Sequence, residues 1–163
     1  TVSGEGDDRV SLSLDVGCPL EGQCTGNAHK QNAMIEAIAR VNRNTVVVVS
    51  SPGAVLLPWS PRVPAILMNF LPGQQVGFAI ADVLFGIQNP EGKLPITIPN
   101  KENEVNYSQD QYPGVPNASK PTNVFYKEKL LVGYRYYEAN KITFTAGFPF
   151  GHGLSYSTFE YSR

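Results

Sequence analysis

The spacing of hydrophobic positions predicts a strand, a helix and a second extended run within residues 65–99. An apolar run at residues 65–70 ends in the turn Leu71-Pro72-Gly73. The run is apolar on both faces, which is typical of a parallel strand covered by helices on two sides. Apolar residues then recur with the spacing of a helix that lies on a hydrophobic surface. These residues are Val76, Ala79, Ile80, Val83 and Leu84.

The preceding part of the chain shows the same alternation of helix and strand. Asn27 is placed to cap a helix that runs to about residue 42. The apolar face of that helix consists of Met34, Ile35, Ile38 and Val41. Residues 45–50 then form a β-branched run, which favours a central parallel strand.

Helices alternating with apolar strands predict an α/β fold, a three-layer αβα sandwich with a mainly parallel sheet and right-handed crossovers. Ser51-Pro52-Gly53 and Leu71-Pro72-Gly73 follow the carboxyl ends of the two strands. Open parallel sheets bind ligands at that edge. Residues 100–123 are polar and indicate a long surface loop, and residues 125–161 indicate an extended aromatic tail that packs along the domain.

Length and charge narrow the class of protein. The 163 residues fit one domain, and the net charge of -1 leaves no basic face for nucleic acid. The apolar runs are shorter than the roughly 20 residues that cross a bilayer, so we expect no membrane partner. The chain begins abruptly in a Gly-rich acidic turn without a leader. We therefore expect that an upstream part, including any export signal, is missing.

The two cysteines and two sequons favour an exported protein. Cys18 and Cys24 have five intervening residues and no histidine pair at ligand spacing, which disfavours zinc and favours a small disulfide loop. Asn106 and Asn117 each begin an Asn-x-Ser sequon in the polar loop, where a glycan could be carried. Together these features predict a secreted, extracellular, lysosomal or vacuolar location.

Motifs for nucleotides, serine nucleophiles and metals are absent from the sequence. No Gly-x-Gly-x-x-Gly follows a strand, and there is no Gly-x-Ser-x-Gly elbow. His29 and His152 are far apart, so we interpret both as structural residues. We expect neither a metal nor an organic cofactor.

Four blocks of sequence, in this order, resemble the second domain of glycoside hydrolase family 3. They are SGEGDDR at residues 3–9, LPGQQVGFAIADVLFGIQNPEGKLPITIP at residues 71–99, LVGYRYYE at residues 131–138 and FPFGHGLSYSTFEYS at residues 148–162. The resemblance covers nearly the whole chain. It implies that residues 1–163 are this C-terminal domain, incomplete at its N-terminus.

The resemblance implies that the two catalytic residues come from two different domains. In the family, an upstream barrel domain carries an aspartate nucleophile, and the αβα sandwich lends a loop with the acid/base glutamate. Retaining hydrolysis needs two carboxyl groups about 5–5.5 Å apart. Since the nucleophile belongs to the barrel, we expect this chain to be inactive by itself on a β-glycoside substrate.

Glu5 is the predicted acid/base residue, because SGEGDDR is similar to the SGEGxDR loop of family β-glucosidases. Gly4 and Gly6 give this carboxylate an adaptable backbone that can approach a substrate closely. The charge of a nearby nucleophile would raise the pKa of Glu5 and keep it protonated for the first step. Asp7 stands where the family often has an aromatic residue, and it is a rival candidate.

Other candidate residues have structural alternatives. Arg9 is expected to hold the acid/base loop rather than contact substrate, and Trp59 is either a sugar-stacking platform or a packing residue. Gln74-Gln75 is expected to cap the following helix. Lys127-Glu128-Lys129 lacks the glycine usual in the family, which argues against a tight turn. Gly151 and Gly153 are expected to allow close packing of the tail.

Three functions fit the sequence. The first is a retaining β-glucosidase that releases terminal nonreducing β-D-glucose, with a β-xylosidase or another family 3 β-glycosidase as its alternative. The second is a non-catalytic domain that binds carbohydrate or a protein partner. The third is a nucleotide-binding module, which lacks a phosphate motif.

Overall fold

The computed structural model describes residues 11–15, 30–115 and 123–162. Several predictions fall on residues outside these ranges. They concern the Glu5, Asp7 and Arg9 loop, the helix cap at Asn27, the Cys18–Cys24 disulfide and the sequon at Asn117.

The described residues form helix, strand, strand, helix and helix in chain order. The elements are α1 (Gln31–Val41), β1 (Val46–Val49), β2 (Ala65–Met68), α2 (Val76–Leu84) and α3 (Tyr134–Ala139). A short 3-10 turn, Ser60–Arg62, lies between the two strands. The first four elements lie where the hydrophobic spacing predicts them. α1 and β1 are shorter than predicted at both ends, β2 ends two residues early, and α2 spans the predicted stripe.

β1 and β2 lie side by side in a parallel sheet, as predicted. Val46 is opposite Ala65 and Val49 is opposite Met68, so the two strands end together. The backbone N–H of Asn69 extends the ladder by donating to the carbonyl of Val49 at 3.0 Å. The turns that follow the two strands therefore lie at one edge of the sheet.

The hydrophobic core is centred on the connection between the two strands. Val55, Leu57 and Trp59 lie in this connection and are fully buried together with Ile98. The core also includes Leu14, Ala39, Val49 and Val63. Burial of these side chains anchors α1 and residues 54–63 to β1.

The tail packs along the segment that follows α2, as predicted. Ile98 and Phe148 each donate a backbone N–H to the other's carbonyl at 2.9 Å. The N–H of Leu94 donates to the carbonyl of His152 at 2.8 Å. These bonds place residues 148–152 antiparallel to residues 94–98.

Two glycines allow this close approach. A Cβ on Gly147 would lie 2.1 Å from the carbonyl oxygen of Ile98, and one on Gly153 would lie 2.5 Å from that of Gly92. Both distances are shorter than any real contact of a Cβ atom. The expectation for Gly153 is therefore confirmed. Gly151 instead has open space for a Cβ, but its φ of +78° favours glycine.

Three local predictions were wrong. The tail is not extended throughout, because residues 134–139 form α3, which Gly133 precedes with a φ of 56°. A turn exists at residues 127–130, where Lys129 adopts a φ of 53° without the usual glycine. Gln75 precedes α2 but makes no side-chain capping bond to it.

Within residues 11–15, 30–115 and 123–162, no helix has the length and apolar composition needed to span a bilayer.

Candidate functional site

The first candidate site is the edge of the sheet where β1 and β2 end. The hydroxyl of Ser51, a buried residue, donates to the carbonyl of Gly53 at 2.7 Å and stabilises the turn after β1. Asn69 and Phe70 follow β2 at the same edge. The strand ends therefore bring two loops together, as parallel pairing requires.

Asn69 and Phe70 carry the unusual features of this edge. The side-chain amide nitrogen and oxygen of Asn69 are both buried, and no described residue forms a hydrogen bond with them. Phe70 adopts a φ of 41°, which is uncommon for a residue with a bulky side chain. An unpartnered buried amide beside a residue with a positive φ makes this edge a candidate site.

Trp59 lies in the hydrophobic core and not at a sugar-accessible surface. Its side chain is 0% exposed, and its indole N–H donates to the Oδ1 atom of Asn32 at 2.9 Å. Asn32 is held in turn by its backbone N–H, which donates to Asp15 at 3.0 Å. Because both faces of the indole are covered, Trp59 serves in packing here and offers no platform for a sugar.

Asn100 connects the start of the polar loop to the tail. Its side-chain oxygen accepts hydrogen bonds from the backbone N–H groups of Thr145, Ala146 and Gly147, at 2.7, 3.0 and 3.1 Å. Its side-chain amide donates to Glu104 Oε1 at 2.8 Å. One side chain therefore orders the turn that leads into the Ile98–Phe148 pairing.

Glu104 joins this network to helix α3. Its Oε2 atom accepts hydrogen bonds from the Tyr137 hydroxyl and from the backbone N–H of Asn100, both at 2.9 Å. Burial alone would raise the pKa of Glu104, but these hydrogen bonds and the charge of Lys101 together hold the pKa below its ordinary value of 4.5. Burial and the neighbouring Glu104 carboxylate raise the pKa of Tyr137 above its ordinary 10.0.

We predict that Tyr137→Phe lowers the free energy of unfolding by about 1–2 kcal/mol at neutral pH, because a hydrogen bond to a charged group is lost. The lowered pKa of Glu104 stabilises the fold above the unfolded value of 4.5, and this contribution is lost as pH falls through the folded pKa. The raised pKa of Tyr137 stabilises the fold below 10.0, and this contribution is lost as pH rises further.

The difference between wild type and Tyr137→Phe should therefore be largest between these two pH limits and shrink on either side. Urea unfolding over a range of pH measures it. Tyr134→Phe is the matched control, since Tyr134 lies on the same helix and its side chain is 41% exposed. A difference that does not change with pH would contradict the assignment.

The sequon at Asn106 lies on the described surface. Asn106 is exposed and has a φ of 56°. The sequon hydroxyl, on Ser108, donates to Asp110 at 2.6 Å, and Asp110 forms an ion pair with Lys127. The side-chain amide of Asn106, to which a glycan would be attached, therefore lies on a surface loop that side-chain contacts hold in place.

Metal ligands do not cluster in the part of the chain that the structure describes: it contains no group of three or more His, Cys, Asp or Glu side chains placed to hold an ion. His152 packs its ring against Phe148, with ring centroids 5.0 Å apart.

The sequence analysis missed Asn69, Asn100 and Glu104. Asn69 carried a signal, since a polar residue ends an otherwise apolar strand. Asn100 and Glu104 carried none, because apart from each other their partners lie more than 30 residues further along the chain.

The comparisons with known proteins agree with the resemblance. Residues 1–156 match the family described as "Glycosyl hydrolase family 3 C-terminal domain". The chain is 44% identical over 158 residues to "Thermostable beta-glucosidase B" of Acetivibrio thermocellus, covering 97% of the chain and 18% of that protein. It is 39% identical over 162 residues to "Beta-glucosidase BoGH3A" of Bacteroides ovatus, covering 98% of the chain and 19% of that protein.

Solved structures give the same result for the fold. A β-glucosidase from Kluyveromyces marxianus in complex with glucose matches with a TM-score of 0.72 and 35% identity, over 96% of the chain and 16% of that structure. A β-D-glucoside glucohydrolase from Trichoderma reesei matches with a TM-score of 0.69 and 33% identity, over 100% of the chain and 20% of that structure. The chain thus spans a fifth or less of the length of these relatives.

Proposed function

Since the chain belongs to glycoside hydrolase family 3, as its C-terminal αβα domain, we propose that it supplies the acid/base residue of a retaining β-glucosidase. The match over residues 1–156 carries this proposal, because it includes the SGEGDDR loop at residues 3–9. Relatives that match 97–98% of the chain are named β-glucosidases, which favours terminal nonreducing β-D-glucose as the released sugar.

Glu5 is proposed to act twice in each turnover. In the first step its carboxyl group protonates the glycosidic oxygen while an aspartate of the upstream barrel attacks the anomeric carbon. The C–O bond to the leaving group breaks, and a glycosyl ester forms. In the second step the Glu5 carboxylate takes a proton from water, which attacks the same carbon and releases the sugar with retained configuration.

Other residues of the loop are proposed to support Glu5. Arg9 holds the loop in position, and Asp7 remains the rival acid/base candidate.

The edge where β1 and β2 end is proposed to face the substrate side of the enzyme. Its buried, unpartnered Asn69 amide supports this, since open parallel sheets bind ligands at that edge.

The experiment that tests the function compares substrates in the full-length protein. We expect an aryl β-glucoside and cellobiose to give a higher kcat/KM than the matched aryl β-xyloside. The 163-residue chain alone should turn over none of them, because the nucleophile is proposed to belong to the upstream barrel. A preference for the xyloside would favour a β-xylosidase instead. A folded full-length protein without activity on any β-glycoside would favour a non-catalytic binding domain.

An exported protein with a glycan at Asn106 is also proposed, together with a Cys18–Cys24 disulfide. The exposed position of Asn106 supports the glycan. Peptide mass spectrometry of protein from a eukaryotic host should find the glycan at Asn106, and Asn106→Gln should remove that mass. An unmodified Asn106 peptide in secreted wild-type protein would argue against this site.

A further inference from the structure

A cavity of about 420 Å³ is lined by Thr97, by three residues of helix α3 and by five residues between positions 141 and 150. Four aromatic side chains contribute to its lining, namely Tyr134, Tyr137, Phe144 and Phe150. Its size lies in the range of small-molecule sites, about 300–1,000 Å³. Nothing in the proposed role of Glu5 uses this cavity.

The aromatic side chains form two stacked pairs. The ring centroids of Tyr137 and Phe144 are 5.3 Å apart with nearly parallel planes, and Tyr137 is 7% exposed. The centroids of Tyr134 and Phe150 are 4.8 Å apart, and the guanidinium of Arg135 lies over the ring of Tyr134. These contacts hold the rings in place. Phe150 nevertheless remains 47% exposed, so part of its ring is available to a ligand.

Polar groups around the rings have unused capacity for hydrogen bonds. The hydroxyl of Thr97 is buried, and no described residue forms a hydrogen bond with it. Glu138 and Lys141 line the cavity as exposed side chains and make no ion pair within the described residues. Because the Thr97 hydroxyl is buried, the polar groups that the lining offers to a ligand are a carboxylate acceptor and an ammonium donor.

A pyranose ring is complementary to this combination. Its C–H groups form apolar faces that pack on aromatic rings, where the negative ring face attracts the positive ends of C–H bonds. Its equatorial hydroxyls donate to a carboxylate and accept from an ammonium group. A nucleotide fits less well, since one Lys beside one Glu does not neutralise several phosphate charges.

We propose that this cavity is a second carbohydrate site that binds a neutral β-glucoside or its product sugar. The choice of sugar rests on the proposed function, because the ligand is a substrate or product of the same enzyme. None of the residues that line it belongs to the proposed acid/base loop at residues 3–9. It holds sugar without cleaving it.

The test uses the full-length protein after treatment with a 2-deoxy-2-fluoro-β-glucoside that has a good leaving group. The mass increase of a trapped glycosyl-enzyme reports the proposed function and blocks the catalytic site. Calorimetric titration of the treated protein with cellobiose should then reveal one remaining site. Phe150→Ala should weaken that binding at least tenfold.

Two further variants keep the proposal falsifiable. Phe150→Leu preserves apolar bulk and removes only the ring, so it should fold and still weaken cellobiose binding. Phe78→Ala is the matched control, because Phe78 is 74% exposed on α2 and does not line the cavity. Binding in Phe78→Ala should equal that of the wild type.

The outcomes separate the two proposals. A treated wild-type protein that binds no cellobiose would overturn the second site, as would equal binding in wild type and Phe150→Leu. If no mass increase occurs, the proposed function fails. The comparison of wild type, Phe150→Leu and Phe78→Ala in untreated protein then still decides the second site.

Discussion

Replacing Glu5 with alanine in the full-length protein is expected to slow hydrolysis of cellobiose strongly while sparing part of the reaction with an activated aryl β-glucoside. The leaving group of cellobiose is a glucose alkoxide, which needs a proton from the general acid. An activated phenol leaves with little protonation. General acid–base catalysis typically contributes about 10²–10⁴-fold to the rate. The substitution should therefore lower kcat/KM for cellobiose by a factor of about 10²–10⁴.

Azide provides a second test of the same residue. With Glu5 removed, water is no longer deprotonated in the second step, and the glycosyl-enzyme should accumulate. Azide needs no general base, so it should restore turnover of the aryl glucoside and yield the β-glycosyl azide. Steady-state kinetics and product analysis by NMR measure both effects.

Asp7→Ala is the matched control, since Asp7 is the acidic residue nearest to Glu5 in the SGEGDDR loop. It should retain activity on cellobiose. If Glu5→Ala keeps wild-type activity on cellobiose and Asp7→Ala loses it with azide rescue, the acid/base role belongs to Asp7.

The largest effect on stability is expected for Trp59→Ala. Trp59 is 0% exposed and belongs to the core cluster with Val55 and Leu57. Removing a buried aromatic side chain typically costs about 3–5 kcal/mol of the free energy of unfolding. The substitution also removes the indole N–H that donates to Asn32.

Two variants separate packing from hydrogen bonding. Trp59→Phe keeps most of the buried area and loses the indole N–H, so it should destabilise the protein less than Trp59→Ala. Tyr161→Ala is the surface control, because Tyr161 is 99% exposed and its loss should change stability by less than about 0.5 kcal/mol. Urea unfolding measures all three. Unchanged stability in Trp59→Ala together with a raised KM would instead favour a sugar platform.

The spacing of hydrophobic residues along the chain was sufficient to predict the two strands and the helices before and after them. β1, β2 and α2 were predicted because β-branched runs and helical spacing depend on residues that are near in sequence. The parallel pairing of β1 and β2 was predicted from the long segment that connects them, since a parallel pair needs a long crossover. The family followed from four ordered blocks of residues, and the match over residues 1–156 confirms it.

Helix α3 shows where local pattern was insufficient. It has six residues, which is too short for a clear helical period, and isolated helices of that length are unstable in water. Contacts with other parts of the chain stabilise it, including the Tyr137–Phe144 stack and the bond from Tyr137 to Glu104. Such contacts between distant segments cannot be predicted from the spacing of neighbouring residues in the sequence.

By itself, then, the sequence determined the α/β class, the order of the main elements, the family and the candidate acid/base loop at residues 3–9. Only the tertiary structure decided that Trp59 is buried, that Asn100 and Glu104 join the polar loop to the tail, and that four aromatic side chains surround one cavity. The physical reason is separation along the chain. Burial and hydrogen bonding between distant segments depend on how those segments pack, whereas helices and strands are recorded in the spacing of adjacent residues.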